Sequence, residues 1–197
     1  MVKKKSKEYI IFDLETTGLS VTQDRIVEFA CCIVNNKGQE VDERLELLIN
    51  PEIPIPERVI KIHGIRNEYV KDKPTFREVT DIIEKKFKNR IAIAYYGLAF
   101  DFPFLINEFI RAGKKNFSFY GCIDPKIRVK HTLKNINSFS LINVSNHLQI
   151  PVLRPHRAMD DVLLLKNIFK KIYTNKVSLI KNNTYDLFDD VQDYYFG

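Results

Sequence analysis

Apolar residues recur along this chain in two periods. Residues 9–14 form a compact, β-prone run, and 25–34 form a second one closed by Asn35-Asn36-Lys37-Gly38, a string suited to a hairpin turn. Residues 40–49 alternate loosely and read as a third strand. Pro51, Pro54 and Pro56 then stop regular structure from continuing. At Thr75 the period changes. Thr75 and Glu78 fit a capping box, and Phe76, Val79, Ile82, Ile83 and Phe87 fall on one helical face. Beyond it the pattern predicts a short buried strand at 91–95, a helix over 100–112 ended by Gly113, and a fifth strand at 119–123. Two more helices are predicted at 139–148 and 157–173. Three strands followed by alternating helices and strands predict an α/β domain, a mixed sheet flanked by helices.

Length and composition narrow the class. The 197 residues are 45% hydrophobic and 28% charged, which suits one folded domain of 9–175. Residues 1–8 read as a basic leader and 176–197 as an acidic tail. Neither internal repeats nor low-complexity blocks appear. The longest apolar run, 91–100, is well short of the roughly 20 residues a membrane helix needs, and it contains Gly97. Lys3, Lys4 and Lys5 imitate the start of a signal peptide, but only Tyr9-Ile10-Ile11-Phe12 precedes Asp13. Cys31, Cys32 and Cys122 form no CxxC pair and no even framework, so a reduced, cytoplasmic setting is expected.

Charge gives a mild hint of a polyanionic partner. The chain carries +6. The tail sets Lys176 and Lys181 against Asp186, Asp189, Asp190 and Asp193, so the body is more basic than the whole.

The informative feature is where acids interrupt apolar runs. Asp13 and Glu15 end the first strand, in Phe12-Asp13-Leu14-Glu15-Thr16-Thr17-Gly18-Leu19, and a period of two puts both on one face. Like charges side by side on a core strand repel, which a divalent cation would relieve; the bland alternative is a strand end turning into solvent. Asp101 lies in Ala99-Phe100-Asp101-Phe102-Pro103-Phe104-Leu105, either as a helix N-cap or as a ligand. His156-Arg157-Ala158-Met159-Asp160-Asp161 opens the last helix; its acids are either ligands or first-turn carboxylates favoured by the helix dipole. Helical spacing alone does not choose between Asp160 and Asp161.

In order and spacing these strings resemble the DEDDh group of 3′→5′ exonucleases, the DnaQ-like family. His63-Gly64-Ile65 also matches a step many members carry between the first two signatures. The resemblance spans about 8–173 and is closest to the epsilon-type proofreading branch of bacterial DNA polymerase III. It implies a ribonuclease-H-like five-stranded sheet, three antiparallel strands followed by parallel ones. It also implies that Asp13, Glu15, Asp101 and Asp161 bind metal and that His156 is the general base. The family's spacing, His then four residues then Asp, selects Asp161. Thr16 and Leu19 match positions that hold the 3′-terminal nucleotide, and His63 is expected to shape or contact the substrate cleft. One departure stands out: the family writes His-Asn where this chain has Tyr96-Gly97.

The implied chemistry suits these residue types. Two divalent ions about 4 Å apart can activate water, neutralise the phosphate and stabilise the leaving oxygen. Oxygen ligands favour Mg²⁺ or Mn²⁺. An imidazole, which titrates near neutrality, suits proton abstraction. The expected substrates are single-stranded DNA or RNA 3′ ends, with nucleoside 5′-monophosphates as products. Thr16-Thr17-Gly18 resembles the proofreading branch more than oligoribonuclease, whose usual pattern has Met in place of Thr16, and so favours DNA. RNA trimming, a non-catalytic replisome adaptor, and a phosphohydrolase with Asp13 as nucleophile are the competing readings. All five catalytic positions are filled, which argues against the adaptor. Glu15 stands where the phosphohydrolase needs Asp.

Three features stay outside the motifs. Lys126, Arg128, Lys130 and Lys134, with His131 among them, form either a solvated face or a phosphate track. His147 reads as an ordinary partly buried histidine. In the tail, Thr184-Tyr185-Asp186-Leu187-Phe188 resembles the short peptides that dock on the bacterial sliding clamp, although it lacks their leading Gln; the clamp or the DNA polymerase III catalytic subunit is the expected partner, and a tail helix packing on its own domain is the alternative.

Overall fold

A computed structural model describes residues 7–152 and 154–174. Its centre is a five-stranded sheet in the order β3-β2-β1-β4-β5. The strands are β1 (Glu8–Thr16), β2 (Ile26–Asn35), β3 (Leu45–Leu48), β4 (Ile91–Ile93) and β5 (Cys122–Ile123). β1 pairs antiparallel with β2, and β2 with β3, whereas β1 with β4 and β4 with β5 are parallel. This is the expected mixed sheet. The helices are α1 (Glu57–His63), α2 (Asn67–Val70), α3 (Phe76–Phe87), α4 (Asp101–Arg111), α5 (Pro125–Thr132), α6 (Leu141–His147) and α7 (Ala158–Phe169), and a π-helical turn follows at Lys170–Thr174.

Strand periodicity sorts the core into two layers. Tyr9 and Ile11 of β1, with Ala30, Cys32 and Val34 of β2, face a cluster completed by α5, α6 and α7. Ile10, Phe12 and Leu14, with Phe29, Cys31 and Ile33, face α3 and α4 on the other side. The second layer is rich in ring contacts; Phe12 meets Phe102 at 5.6 Å and Phe87 at 5.1 Å between centroids. A smaller cluster seats α1 and α2 against Val27 and Ile55.

Several boundaries differ from those the pattern predicts. β3 begins only at Leu45, because residues 40–44 are exposed; Glu40 bonds Arg44, and a lone bridge joins Val34 to Glu40. β5 shrinks to two residues, since Phe119 turns into the ring cluster and Tyr120 into solvent. β1 already includes Glu8, whose carboxylate takes Arg90 at 2.9 Å. The capping box holds: the Thr75 N–H and hydroxyl donate to Glu78 at 2.7 and 2.9 Å. Ile82, placed on the buried face by spacing, is exposed at the margin of α3. His147, expected to be partly buried, is exposed at the end of α6. Helices α1, α2 and α5 lack an apolar period long enough to read; α5 starts on the Asp124 cap and Pro125. Among the described residues no helix is long and apolar enough to cross a membrane. The string 184–188 lies outside them.

Candidate active site

Strand parity decides where the first two acids point. Asp13 and Glu15 continue the Tyr9 and Ile11 face, the one that α7 covers. A bulge at Glu15/Thr16, where the pairing steps from Glu15↔Glu28 to Thr16↔Ile26, bends the strand end beside them. Asp101 is the first residue of α4, with Phe100 at the N-cap position, so it does not cap. Phe102 anchors that helix start on Phe12, next to Asp13. The carboxylate of Asp101 is 3% exposed and takes backbone N–H groups of its own residue and of Leu14.

The first turn of α7 brings the third element. Asp160 and Asp161 separate there: Asp160 pairs with Arg154 at 2.9 Å, whereas Asp161 accepts the His156 backbone N–H at 3.0 Å. His156 sits in the left-handed region at φ 63° and is exposed. Ligand atoms of Glu15, His156 and Asp161 lie within 4.8 Å of one another. The structure thus brings Asp13, Glu15, Asp101, Asp161 and His156 together.

Electrostatics marks this cluster as uncompensated. Burial raises Asp13 well above the usual carboxylate range, and Asp101, Glu15 and Asp161 raise it further. Burial with Asp161 and Glu28 pushes Glu15 up to about 8, against a small opposing effect of Arg157. Asp101 rises to about 7 by burial, and Asp161 to about 6 by burial, opposed by the His156 N–H. Acids so desolvated and crowded hold protons unless a cation takes their place. An all-oxygen, multiply anionic donor set of this kind fits a hard divalent ion.

Two residues the motifs do not mark hold the centre in place. Glu28, fully buried opposite Glu15, accepts Arg157 at 2.7 Å and the Ala158 N–H at 3.0 Å. It therefore caps α7 from across the sheet and fixes the turn bearing His156 and Asp161. Its signal in the sequence was an acid inside Ile26-Val27-Glu28-Phe29-Ala30. Glu108 of α4 is 1% exposed and binds Arg25 at 2.8 Å and Arg111 at 2.7 Å. Arg111 in turn holds the carbonyls of Asp24, Val21 and Thr22, which bolts loop 17–25 to the helix that begins with Asp101.

The expected substrate residues are distributed around this centre. Thr16 is buried, its hydroxyl donating to the Gly18 carbonyl at 2.6 Å. Leu19 projects 84% exposed from the braced loop. His63 is buried at the end of α1. Gly64, at φ 75°, turns the chain so that the Ile65 N–H reaches His63 Nδ1 at 2.9 Å. That bond leaves the proton on Nε2, near Thr16, while burial lowers the imidazole's affinity for a second one. At the Tyr96-Gly97 departure, a Cβ on Gly97 would fall 2.6 Å from Ala94 Cβ and 2.9 Å from Phe102, so no side chain fits.

Comparison with known proteins agrees with this geometry. The sequence model of the RNase_T family, described as an exonuclease, matches residues 10–169. A PolC-type DNA polymerase III of Caldanaerobacter subterraneus is 28% identical over 166 residues, 84% of this chain but 11% of that protein. The DNA polymerase III subunit epsilon of Treponema pallidum is 28% identical over 82% of this chain and 74% of its own length. The chloroplastic/mitochondrial exonuclease DPD1 of Arabidopsis thaliana is 31% identical over 83% of this chain and 55% of its own. Among solved structures, Escherichia coli exonuclease I, in its zinc-bound complex with single-stranded DNA, superposes with a TM-score of 0.79 at 20% identity. That match covers 89% of this chain and 42% of exonuclease I, and it shows the shared fold. The chain therefore belongs to the RNase_T exonuclease family, within the DnaQ-like group its motifs resemble.

Proposed function

We propose that this chain is a metal-dependent 3′→5′ exonuclease that acts on single-stranded ends, DNA in preference to RNA, and releases nucleoside 5′-monophosphates. The observation that carries this reading is the convergence of four desolvated carboxylates and one exposed imidazole at the end of β1. The polymerase III relatives support DNA as the substrate.

Asp13, Glu15, Asp101 and Asp161 would hold two divalent ions, Mg²⁺ or Mn²⁺. Bound there, these would neutralise phosphate charge and lower the pKa of the attacking water. His156, on the solvent side of Glu15 and Asp161, takes the water's proton as the water attacks phosphorus. The bond from phosphorus to the O3′ of the preceding nucleotide breaks with its electron pair going to O3′, which takes a proton from solvent, and the phosphate stays on the 5′ carbon of the released nucleotide. Asp161 steadies the His156 backbone during this transfer, and Glu28 with Arg157 steadies the turn carrying both. Thr16, Leu19 and His63 hold the terminal nucleotide.

Parallel digestion of matched 5′-labelled single-stranded DNA, RNA and mismatched primer–template, with Mg²⁺ and with EDTA, tests the reading. DNA should shorten from its 3′ end by single nucleotides, faster than RNA, and EDTA should stop it. Equal or faster loss of RNA would favour RNA trimming, and no Mg²⁺-dependent loss of either would favour the adaptor. Docking on a DNA polymerase or clamp through Thr184-Tyr185-Asp186-Leu187-Phe188 is tested by pull-down with a bacterial clamp, comparing wild type with Leu187→Ala/Phe188→Ala.

A further inference from the structure

The carboxylate centre has two flanks, set by strand order. On the β2 side stand Glu28, Arg157 and His63. On the other side β4 and β5 run parallel to β1, so their chain ends reach the same edge of the sheet. Ile11 pairs with Ile93, and continuing that register by two residues sets Asp13 level with Tyr95. Tyr96 follows in the turn beyond β4, at the edge of the sheet where β1 carries Asp13 and Glu15.

Four observations single out Tyr96. Its backbone is left-handed at φ 62°, a region that non-glycine residues occupy only when surroundings impose it. Its N–H donates to Asp124 Oδ1 at 2.9 Å, and the same oxygen accepts the Lys126 N–H at 3.0 Å. One carboxylate, itself electrostatically coupled to Asp101, thus ties the Tyr96 turn to the start of α5. The side chain of Tyr96 is 52% exposed, and Lys126 Nζ lies 3.8 Å from its ring centroid. Beyond Lys126 the surface stays basic: Lys130, His131 and Lys134 are exposed, and no acid interrupts residues 125–135.

We propose that Tyr96 and Lys126 form a second nucleotide subsite, which holds the strand on the 5′ side of the bond to be cleaved. An unpaired base stacks on the Tyr96 ring, and Lys126 meets the adjoining phosphate, with Lys130 and Lys134 next along the path. A half-exposed aromatic ring beside an unbroken basic surface is what single-stranded nucleic acid recognises without regard to sequence. The left-handed turn, pinned by Asp124, keeps the ring out of the core and turned toward the strand. This subsite rests on the exonuclease reading for which way the strand runs.

Two measurements on the full chain separate the subsite from that reading. The first is anisotropy of a labelled single-stranded DNA 12-mer in EDTA at low salt, where no cleavage occurs. Tyr96→Asn, a residue that tolerates the left-handed backbone, should weaken binding about tenfold, the loss expected for one stacked base. Tyr96→Phe should restore it to within about twofold. Lys126→Ala should flatten the dependence of log K on log salt by about 0.7. The second is cleavage in Mg²⁺ of the 12-mer against the p-nitrophenyl ester of thymidine 5′-monophosphate, which has no upstream strand. Tyr96→Asn should lower kcat/KM about tenfold on the 12-mer and less than about twofold on the ester. Equal binding by wild type and Tyr96→Asn, or equal loss on both substrates, overturns the subsite. If wild type cleaves neither substrate the exonuclease reading falls, and the binding arm still decides the subsite.

Discussion

The two flanks of the carboxylate centre are built differently. On the β2 flank, strands of nine and ten residues pair along their length, and the buried Glu28 carboxylate fixes the turn and helix that carry His156 and Asp161. On the other flank, β4 and β5 have three and two residues; the chain leaves β4 through the left-handed turn at Tyr96 and β5 through the Asp124 cap of α5. Long pairing and a buried carboxylate give the candidate ligands the rigid support that a metal site needs. Short strands and turns can change residues without moving those ligands. This asymmetry accounts for a chain that departs from its family's pattern at Tyr96-Gly97 and still carries Asp13, Glu15, Asp101, His156 and Asp161, the five residues proposed for catalysis.

The asymmetry can be broken or sharpened by experiment. Asp13→Ala, at the end of the rigid strand, should lower Mg²⁺-dependent cleavage at least about 10³-fold with an unchanged circular dichroism spectrum. Activity that persists would remove Asp13 from the mechanism. Glu28→Ala should next be the most damaging to the fold, because it removes the acceptor of the Ala158 N–H and the main partner of Arg157. Arg157 keeps some solvent and Glu46 at 3.7 Å, so the loss is about 1.5–3 kcal/mol, which lowers Tm by roughly 6 °C for a chain this size. Thermal unfolding in Mg²⁺ checks it against Tyr96→Asn, expected within about 2 °C of wild type by the same scale. Equal losses would show that the two flanks are equally rigid.

The pH dependence of the metal-free protein should be smaller but diagnostic. Asp13, Glu15, Asp101 and Asp161 all hold their protons more tightly in the fold than in the unfolded chain. Their protonation therefore favours the fold; that contribution is complete below the ordinary carboxylate range near about 4, fades as pH rises, and is gone above about 8. In EDTA, Tm should drop by several degrees between pH 5 and 8.5, and Mg²⁺ should recover most of the drop by binding the folded state. A flat profile would mean that the carboxylates are not desolvated together. Last, Arg111→Met should release loop 17–25 and raise KM for an oligonucleotide on the order of fivefold with little change in kcat, since Arg111 holds the loop that presents Leu19 while Arg25 still partners the buried Glu108. An equal fall in kcat would place Arg111 closer to the chemistry.

Much of the site was legible because its residues violate their local pattern. Acids at Asp13, Glu15 and Asp101 stand in windows that are otherwise apolar, and period two predicted the shared face of the first two. The choice of Asp161 over Asp160 came from the family's spacing, and the structure gives it a physical form in the salt bridge that draws Asp160 away. Glu28 carried the same signal inside β2, yet its partner Arg157 lies 129 residues away, and no local period connects them. The link from Arg25 to Glu108, 83 residues apart, was hidden for the same reason. In the fold, the strands and long amphipathic helices followed their periods. The short helices α1, α2 and α5 did not, since a helix of one or two turns takes its stability from caps and neighbours and shows too few residues to reveal a face.

The three free cysteines have a practical consequence. Cys31 and Cys32 are fully enclosed on opposite faces of the central sheet, Cys122 is 4% exposed on β5, and burial pushes each thiol up to about 12. Neutral, enclosed thiols react with alkylating dyes only when the sheet opens. The chain thus carries its own chemical clock for global unfolding, read by mass after pulse labelling. A single cysteine introduced on the solvent side, for instance at Tyr120, would take a fluorophore selectively while the protein stays folded, so the strand's passage could be followed by energy transfer without first stripping out the native thiols.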